Sequence, residues 1–199
     1  MNEAEYLAFE ETAATKHEFV DGFVYDWPGY EYGPEGLAGA TRGQNGLQVN
    51  LLTLLAPLAR AAGCRVYGSD LRLRVRLRGA TPGEGATRRY YYPDVMVLCD
   101  QALHADEGDD DMHVTRPCAV FEVLSRRSAR IDHGEKREVY RAMPSVQTYV
   151  IVHQQQPRLE IYQRQPDGAW QGPRQLGRGD RLELPCIAAG VDVSAIYDA

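Results

Sequence analysis

Two carboxylates stand where a buried strand would not carry a charge. Asp94 follows Tyr90-Tyr91-Tyr92-Pro93 and precedes Val95-Met96-Val97-Leu98-Cys99, and Glu122 lies inside Cys118-Ala119-Val120-Phe121-Glu122-Val123-Leu124-Ser125. Taking a carboxylate out of water is costly unless something positive joins it. A hard divalent ion with oxygen ligands would meet that need, and magnesium requires only one or two protein carboxylates besides its waters. The midpoint between the two acids is Gly108, so a symmetric antiparallel pairing of the two strands would set them opposite each other. Lys136 follows on a basic helical segment, where it shares a face with Asp132 and Tyr140 at i−4 and i+4. Two acids on neighbouring strands with a lysine nearby suit metal-dependent cleavage of phosphodiesters. Taken alone, Lys136 is explained as well by a surface ion pair with Asp132.

Other chemistry is poorly supplied. Ser125 and His133 lack the G-x-S-x-G elbow that a serine nucleophile would use. The five histidines are scattered, and cysteines 64, 99, 118 and 186 lack the close spacing of a zinc site. The cysteines read as buried free thiols. No glycine-rich phosphate loop occurs. The run Asp106-Glu107-Gly108-Asp109-Asp110-Asp111 lacks the alternation of a calcium loop and reads as a solvated turn.

The elements that must position these residues follow from periodicity. Residues 4–18 are expected to be helical, with Tyr6, Phe9 and Ala13 on one side and Glu10, Glu11 and Lys16 on the other. Asp21-Gly22 between apolar residues marks a tight hairpin, with Glu18 just before it. Residues 26–43, rich in Gly and Pro, read as a loop or lid. Leu47, Leu51, Leu54, Leu55 and Leu58 form the apolar stripe of a long helix that Pro57 should kink and Gly63 should stop. Val66–Arg78 alternates as one strand, Leu71, Leu73, Val75 and Leu77 against Arg72, Arg74, Arg76 and Arg78. The arginine side is either solvated or a phosphate-facing stripe. Residues 79–86 form a Gly/Pro-rich loop.

Tyr90–Cys99 and Cys118–Ser125 are the next strands. Apart from their acids they are apolar on both faces, which favours a mixed α/β sheet covered on both sides. Asp132–Met143 is expected to be a helix, capped by Asp132 with Glu135 three residues on and ended by Pro144. Thr148–His153 and Arg158–Arg164 form a hairpin, and a Trp170 segment with a strand at 181–184 completes the sheet.

The 199 residues are enough for one domain, residues 1–199, with a sizeable core, and no internal repeat or linker divides them. No stretch approaches the ~18 uncharged apolar residues of a membrane span. The acidic Met1–Glu11 segment lacks the layout of a signal peptide, and a cytoplasmic protein is expected. The net charge of −6 speaks against a uniformly basic nucleic-acid binder, so any polyanion must be met by clustered arginines.

The ordered blocks Tyr92-Pro93-Asp94, Phe121-Glu122-Val123-Leu124-Ser125 and Asp132-His133-Gly134-Glu135-Lys136 carry a resemblance. So do His17-Glu18-Phe19-Val20-Asp21-Gly22, Val66-Tyr67-Gly68-Ser69-Asp70-Leu71-Arg72, Tyr149-Val150-Ile151-Val152 and Ile196-Tyr197. Nearly end to end, the chain resembles the restriction-endonuclease-like family abundant in cyanobacteria, within the PD-(D/E)XK nuclease superfamily. The resemblance implies an α/β (α+β) restriction-endonuclease-like core, a mixed β-sheet flanked by helices. It implies an Mg2+- or Mn2+-dependent DNA endonuclease in which Asp94 and Glu122 hold the metal. Lys136 from the next helix stands in for the usual lysine two residues past the second acid, where this chain has Leu124. Glu18 is implied as a further acid, and a homodimer is expected because cutting two strands suits two sites. Gln44 occupies a place where the family carries histidine, and a glutamine cannot act as a base. Arg72, Arg74, Arg126, Arg127 and Arg130 are candidate contacts to a nucleic-acid backbone. The competing expectation is a catalytically silent nucleic-acid-binding or protein-interaction module on the same scaffold, favoured by the acidic charge and by Gln44.

Overall fold

The computed structural model describes residues 1–26, 41–77, 87–99, 112–124 and 129–198, apart from the side chains of Thr87 and Arg130. The expected loops at 26–43 and 79–86 and the acidic run at 106–111 lie largely or wholly outside the described residues, as do Arg78, Ser125, Arg126 and Arg127.

An Asn2–Glu5 capping box starts helix α1 (Glu3–Glu10). It ends well before the expected residue 18, because the Glu10 carboxylate turns back to accept the His17 N–H at 2.9 Å and to meet the His17 ring. Strands β1 (His17–Val20) and β2 (Phe23–Asp26) form the expected hairpin. Asp21 and Gly22 sit at φ 51 and 91, as a two-residue turn that matches strand twist requires.

Helix α2 (Arg42–Ala61) begins at Thr41, whose hydroxyl accepts the Gln44 N–H, and continues as one element through Pro57. Leu47, Leu51, Leu55 and Ala59 bury its apolar face, each large side chain contributing about 1.5–3 kcal/mol relative to exposure. Gly63, at φ +74, ends it: the Cys64 N–H donates to Ala59 O and the Gly63 N–H to Arg60 O, the two bonds of a Schellman cap.

The expected single strand from Val66 is two strands, β3 (Arg65–Gly68) and β4 (Arg72–Leu77), in different sheets. Tyr90–Cys99 divides in the same way into β5 (Thr87–Tyr91) and β6 (Val95–Leu98), broken at Tyr92-Pro93-Asp94. The remaining strands are β7 (His113–Val114), β8 (Ala119–Leu124), β9 (Thr148–His153), β10 (Arg158–Arg164), β11 (Trp170–Gly177), β12 (Arg181–Leu184) and β13 (Ala189–Asp192). One sheet has the order β2-β1-β5-β4-β7 and a larger one the order β11-β10-β9-β8-β6-β3. β12 does not complete the larger sheet as expected; it pairs with β13 in a separate ribbon.

The larger sheet is mixed, because β8 and β9 run parallel while its other neighbours run antiparallel. Alternate residues separate its faces. Val95, Val97, Phe121 and Val123 pack with α2 and with helix α5 (Val193–Asp198). Met96, Leu98 and Val120 pack with Leu73, Val75 and Tyr91 of the first sheet and with helix α4 (Arg137–Ala142).

The segment before α4 departs from expectation. A short helix α3 (Ala129–Ile131) leads into a π-helical turn, Asp132–Lys136, continuous with α4. Asp132 is therefore interior to a helical run, not its cap. The cysteines also differ, because Cys64 and Cys99 form a disulfide between adjoining ends of β3 and β6 while Cys118 and Cys186 remain thiols. No described helix is long and apolar enough to cross a membrane.

Candidate active site

Two of the strand crossings between the sheets meet beside the first turns of α2. Gln48 donates through one amide nitrogen to Ser69 Oγ at 2.9 Å and to the Asp94 carbonyl at 2.8 Å. One side chain thus holds the β3-to-β4 and β5-to-β6 crossings together. Pro93 marks the second crossing, supplying no N–H to either ladder, and Asp94 is the first residue after it.

The pairing of β6 with β8 matches Val95 to Phe121, Met96 to Val120 and Val97 to Ala119. Continued by one step, that register sets Asp94 opposite Glu122, the arrangement implied by their midpoint at Gly108. The Asp94 carboxylate accepts the Val123 N–H at 2.6 Å. Glu122 shares a face with Val120 and so points toward α4. There Glu122 Oε1 accepts the Tyr140 hydroxyl at 2.8 Å and meets Lys136 Nζ at 3.2 Å. Lys136 Nζ also lies 3.0 Å from Glu18 Oε1, and that oxygen accepts the Tyr92 N–H.

Glu18, Asp94, Glu122 and Lys136 thus converge from β1, the β6 entry, β8 and the π turn, and each is at most 5% exposed. The surface Asp132–Lys136 ion pair is overturned: both residues are buried, their 4.0 Å separation is the longest of the lysine's three carboxylate contacts, and Lys136 is shared with Glu18 and Glu122. The π turn accounts for this. Such a turn adds a residue to the helical repeat and re-aims the side chains on either side of it, here carrying Asp132 and Lys136 inward. Glu160 braces the outer side of the turn, meeting His133 Nε2 at 3.0 Å and His153 Nε2 at 2.7 Å. Burial pushes the Glu160 carboxyl up, but the hydrogen bond from His153 and the two rings outweigh it and hold it below its ordinary value. His133 therefore supports the turn.

The site carries more negative charge than its lysine balances. Burial first, and then the charge of Glu122, pushes the Asp94 carboxyl up to about 7, against the pull of the Val123 N–H, Lys136 and a Gln44 hydrogen bond. Burial also pushes Glu122 up, against Lys136 and with the charges of Asp132 and Glu18 adding to the rise. Burial alone would lower Lys136, but Glu122, Glu18 and Asp132 hold its ammonium well above the ordinary value. A second cation would relieve this imbalance. Asp94 and Glu122 offer the hard oxygen donors that magnesium or manganese prefers, and such an ion needs only one or two protein carboxylates, so the residues present fit it.

Two contributors escaped the sequence reading. Tyr140 was visible on the Lys136 face but was given no role, and Asp132 was read as a cap. Gln44 is buried at 4% exposure and bonds Asp94, so the residue that departs from the family pattern stands inside the site.

The arginines divide. Arg72 is buried: its Nε donates to Met112 O at 3.4 Å and its guanidinium lies 5.9 Å from the Tyr90 ring centroid, so it fits neither the solvated nor the phosphate-facing reading. Arg74 lines a cavity of about 400 Å3 with Arg76, Arg88 and Arg116, closed on one side by Met143, Pro144 and Ser145 beyond α4. Arg88 pairs with Glu3. Arg130 lies in α3, its side chain outside the description, and Arg126 and Arg127 are outside it entirely.

With this geometry in hand, comparisons with known proteins place it. A family model described as "Uma2: Putative restriction endonuclease" matches residues 3–195. The chain is 30% identical to "Uncharacterized protein slr1290" of Synechocystis sp. (strain ATCC 27184 / PCC 6803 / Kazusa), over 97% of this chain and 89% of that protein. It is 32% identical to "Uncharacterized protein sll1609" of the same organism, over 91% and 90%. Its fold is similar to a crystal structure titled as that of "a putative nuclease belonging to DUF820 from Anabaena variabilis ATCC 29413". That match has a TM-score of 0.64 and 12% identity, and it covers 98% of this chain and 96% of the other.

Proposed function

The chain belongs to the Uma2 family of restriction-endonuclease-like proteins, and on that premise we propose that it is a divalent-metal-dependent endonuclease acting on DNA. The observation that carries the reading is the buried convergence of Asp94, Glu122, Glu18 and Lys136 from four separate elements. Asp94 and Glu122 would hold magnesium or manganese, which supplies an activated water and charge on the scissile phosphate.

The chain's own residues do the rest. Val123 N–H fixes Asp94, and the Tyr140 hydroxyl fixes Glu122. Glu18 keeps Lys136 charged and aimed, so that its ammonium can orient the water or the phosphate and stabilise developing negative charge. Burial excludes bulk water and strengthens each of these interactions. Arg74, Arg76 and Arg116 are the proposed backbone contacts. Their cavity ends about 10 Å along the helix from Lys136 at ~1.5 Å per residue. A single strand presents one phosphate per ~3.4 Å of axis, so the cavity lies about three phosphates away. Two chains acting together would serve the two strands of a duplex.

One observation favours a second reading. Lys136 bridges Glu18 and Glu122 at 3.0 and 3.2 Å, a cluster partly neutralised without metal, as a silent binding module on this scaffold would have it. Plasmid cleavage with magnesium or manganese separates the two. The endonuclease reading expects nicking that Asp94→Asn and Glu122→Gln each reduce at least 100-fold while the fold is retained. Parent protein that binds DNA without cutting it under either metal would establish the silent module.

A further inference from the structure

Four cysteines from four separate segments meet at the end of the larger sheet opposite the acids. Cys64 enters β3, Cys99 follows β6, Cys118 precedes β8, and Cys186 lies in the short turn after β12. The antiparallel register of β3, β6 and β8 brings the first three to one edge, and the β12–β13 ribbon delivers the fourth. Cys99 and Cys118 sulfurs are 3.4 Å apart, and the sulfurs of Cys99, Cys118 and Cys186 all lie within 4.8 Å of one another. Cys64 is bonded to Cys99. Cys64 and Cys118 are buried, and the other two are half-buried.

We propose that, when the Cys64–Cys99 disulfide is reduced, Cys64, Cys99, Cys118 and Cys186 form a tetrathiolate site for zinc that ties the C-terminal ribbon to the sheet. Four thiolates in tetrahedral array at a Zn–S distance of about 2.3 Å have sulfurs about 3.8 Å apart. The 3.4 Å between the Cys99 and Cys118 sulfurs is close to that value, the Cys186 sulfur lies within 4.8 Å of both, and opening the disulfide frees Cys64 beside Cys99 as the fourth ligand. Sequence spacing does not reveal such a site, because no two of its ligands belong to one short motif.

The chemistry balances. An external dithiol passes two electrons and two protons to the Cys64–Cys99 bond, leaving two thiols and itself becoming a disulfide. Zinc then replaces the protons of the four thiols as four Zn–S bonds form. Disulfide and zinc are mutually exclusive, so the site reports the redox state of its surroundings. It is independent of the nuclease reading: Asp94 and Cys99 flank β6 about 16 Å apart, at ~3.3 Å per residue.

The test titrates the full-length protein, reduced by a phosphine under anaerobic conditions, with zinc against a chromophoric chelator and in parallel with cobalt(II). The expected result is one chelator-resistant metal per chain, a cobalt spectrum with thiolate charge-transfer bands, and at least 100-fold weaker binding in Cys118→Ser and Cys186→Ser. Asp94→Asn should bind zinc as the parent does. If either serine variant fails to fold, the cobalt spectrum and proton release of the parent decide the matter alone. Reduced parent that shows four free thiols but no thiolate-to-cobalt bands overturns the proposal. Serine variants that bind as tightly as the parent overturn it equally.

Discussion

Asp94 holds its proton to about pH 7 in the folded chain, whereas an exposed aspartate releases it near 3.8. Between those values the folded state binds a proton that the unfolded state has lost, so this residue makes stability fall as pH rises from about 4 to about 7. His153, held below its ordinary value first by burial, works the other way over part of that range. The useful quantity is therefore the difference between parent and Asp94→Asn. In metal-free urea denaturation the variant should gain stability on the parent between about pH 4 and about pH 7. Added magnesium should stabilise the parent at the upper pH and leave the variant unmoved; parallel pH profiles would refute the burial argument. Lys136→Met removes the only buried ammonium among the described residues of the site and leaves Glu18 and Glu122 facing each other. Breaking a buried pair in this way costs about 3–5 kcal/mol, read as a lower denaturation midpoint at neutral pH, and the loss should shrink as pH falls and Glu122, whose carboxyl burial already pushes up, takes on a proton. Asp94 and Glu122 were legible in the sequence because each interrupts an apolar run. Lys136 was named chiefly through the family resemblance, because its distance from Asp132 suits a surface pair equally well and nothing local reveals a π turn.

At the scale of elements, the sequence showed hydrophobic runs but not where they change sheets. Val66–Arg78 and Tyr90–Cys99 each read as one strand because apolar residues resume directly beyond each crossing; Gly68-Ser69-Asp70 and Pro93 were the hints. The midpoint of the two acids was consistent with the observed β6–β8 alignment, although so long a connector does not itself fix register. Alternation likewise placed Arg72 opposite Leu73 but could not say that the neighbouring elements would cover it. The device that makes the crossings a site is Gln48, which was never singled out. Gln48→Ala should cost about 1–3 kcal/mol for two lost hydrogen bonds that leave buried acceptors behind. Because one of them holds the Asp94 backbone, cleavage should fall further than stability does, with a weakened response to magnesium at unchanged DNA affinity. A variant that loses stability alone, with full cleavage under native conditions, would show that the crossing needs no such clamp.

For the whole molecule, a net charge of −6 and a polyanionic substrate are reconciled only by partition of charge. Composition gave the total, and the fold gives the partition: acids gathered around Lys136, arginines 74, 76, 88 and 116 gathered around one cavity beyond α4. The partition predicts a salt dependence. Each phosphate neutralised on duplex DNA contributes a slope of about −0.9 in log affinity against log salt. Arg74→Ala with Arg116→Ala should therefore make the slope shallower by about 1–2 and weaken binding across sequences alike. Cleavage at saturating DNA should remain near the parent's, because both residues line the cavity beyond α4 and not the acid cluster. The measurement is fluorescence anisotropy of a labelled duplex over a range of potassium chloride, using Glu122→Gln as the background so that the DNA stays intact. An unchanged slope would take the cavity out of the DNA path. A sequence-dependent loss would instead mean that these arginines read bases, since phosphate contacts alone carry no sequence information.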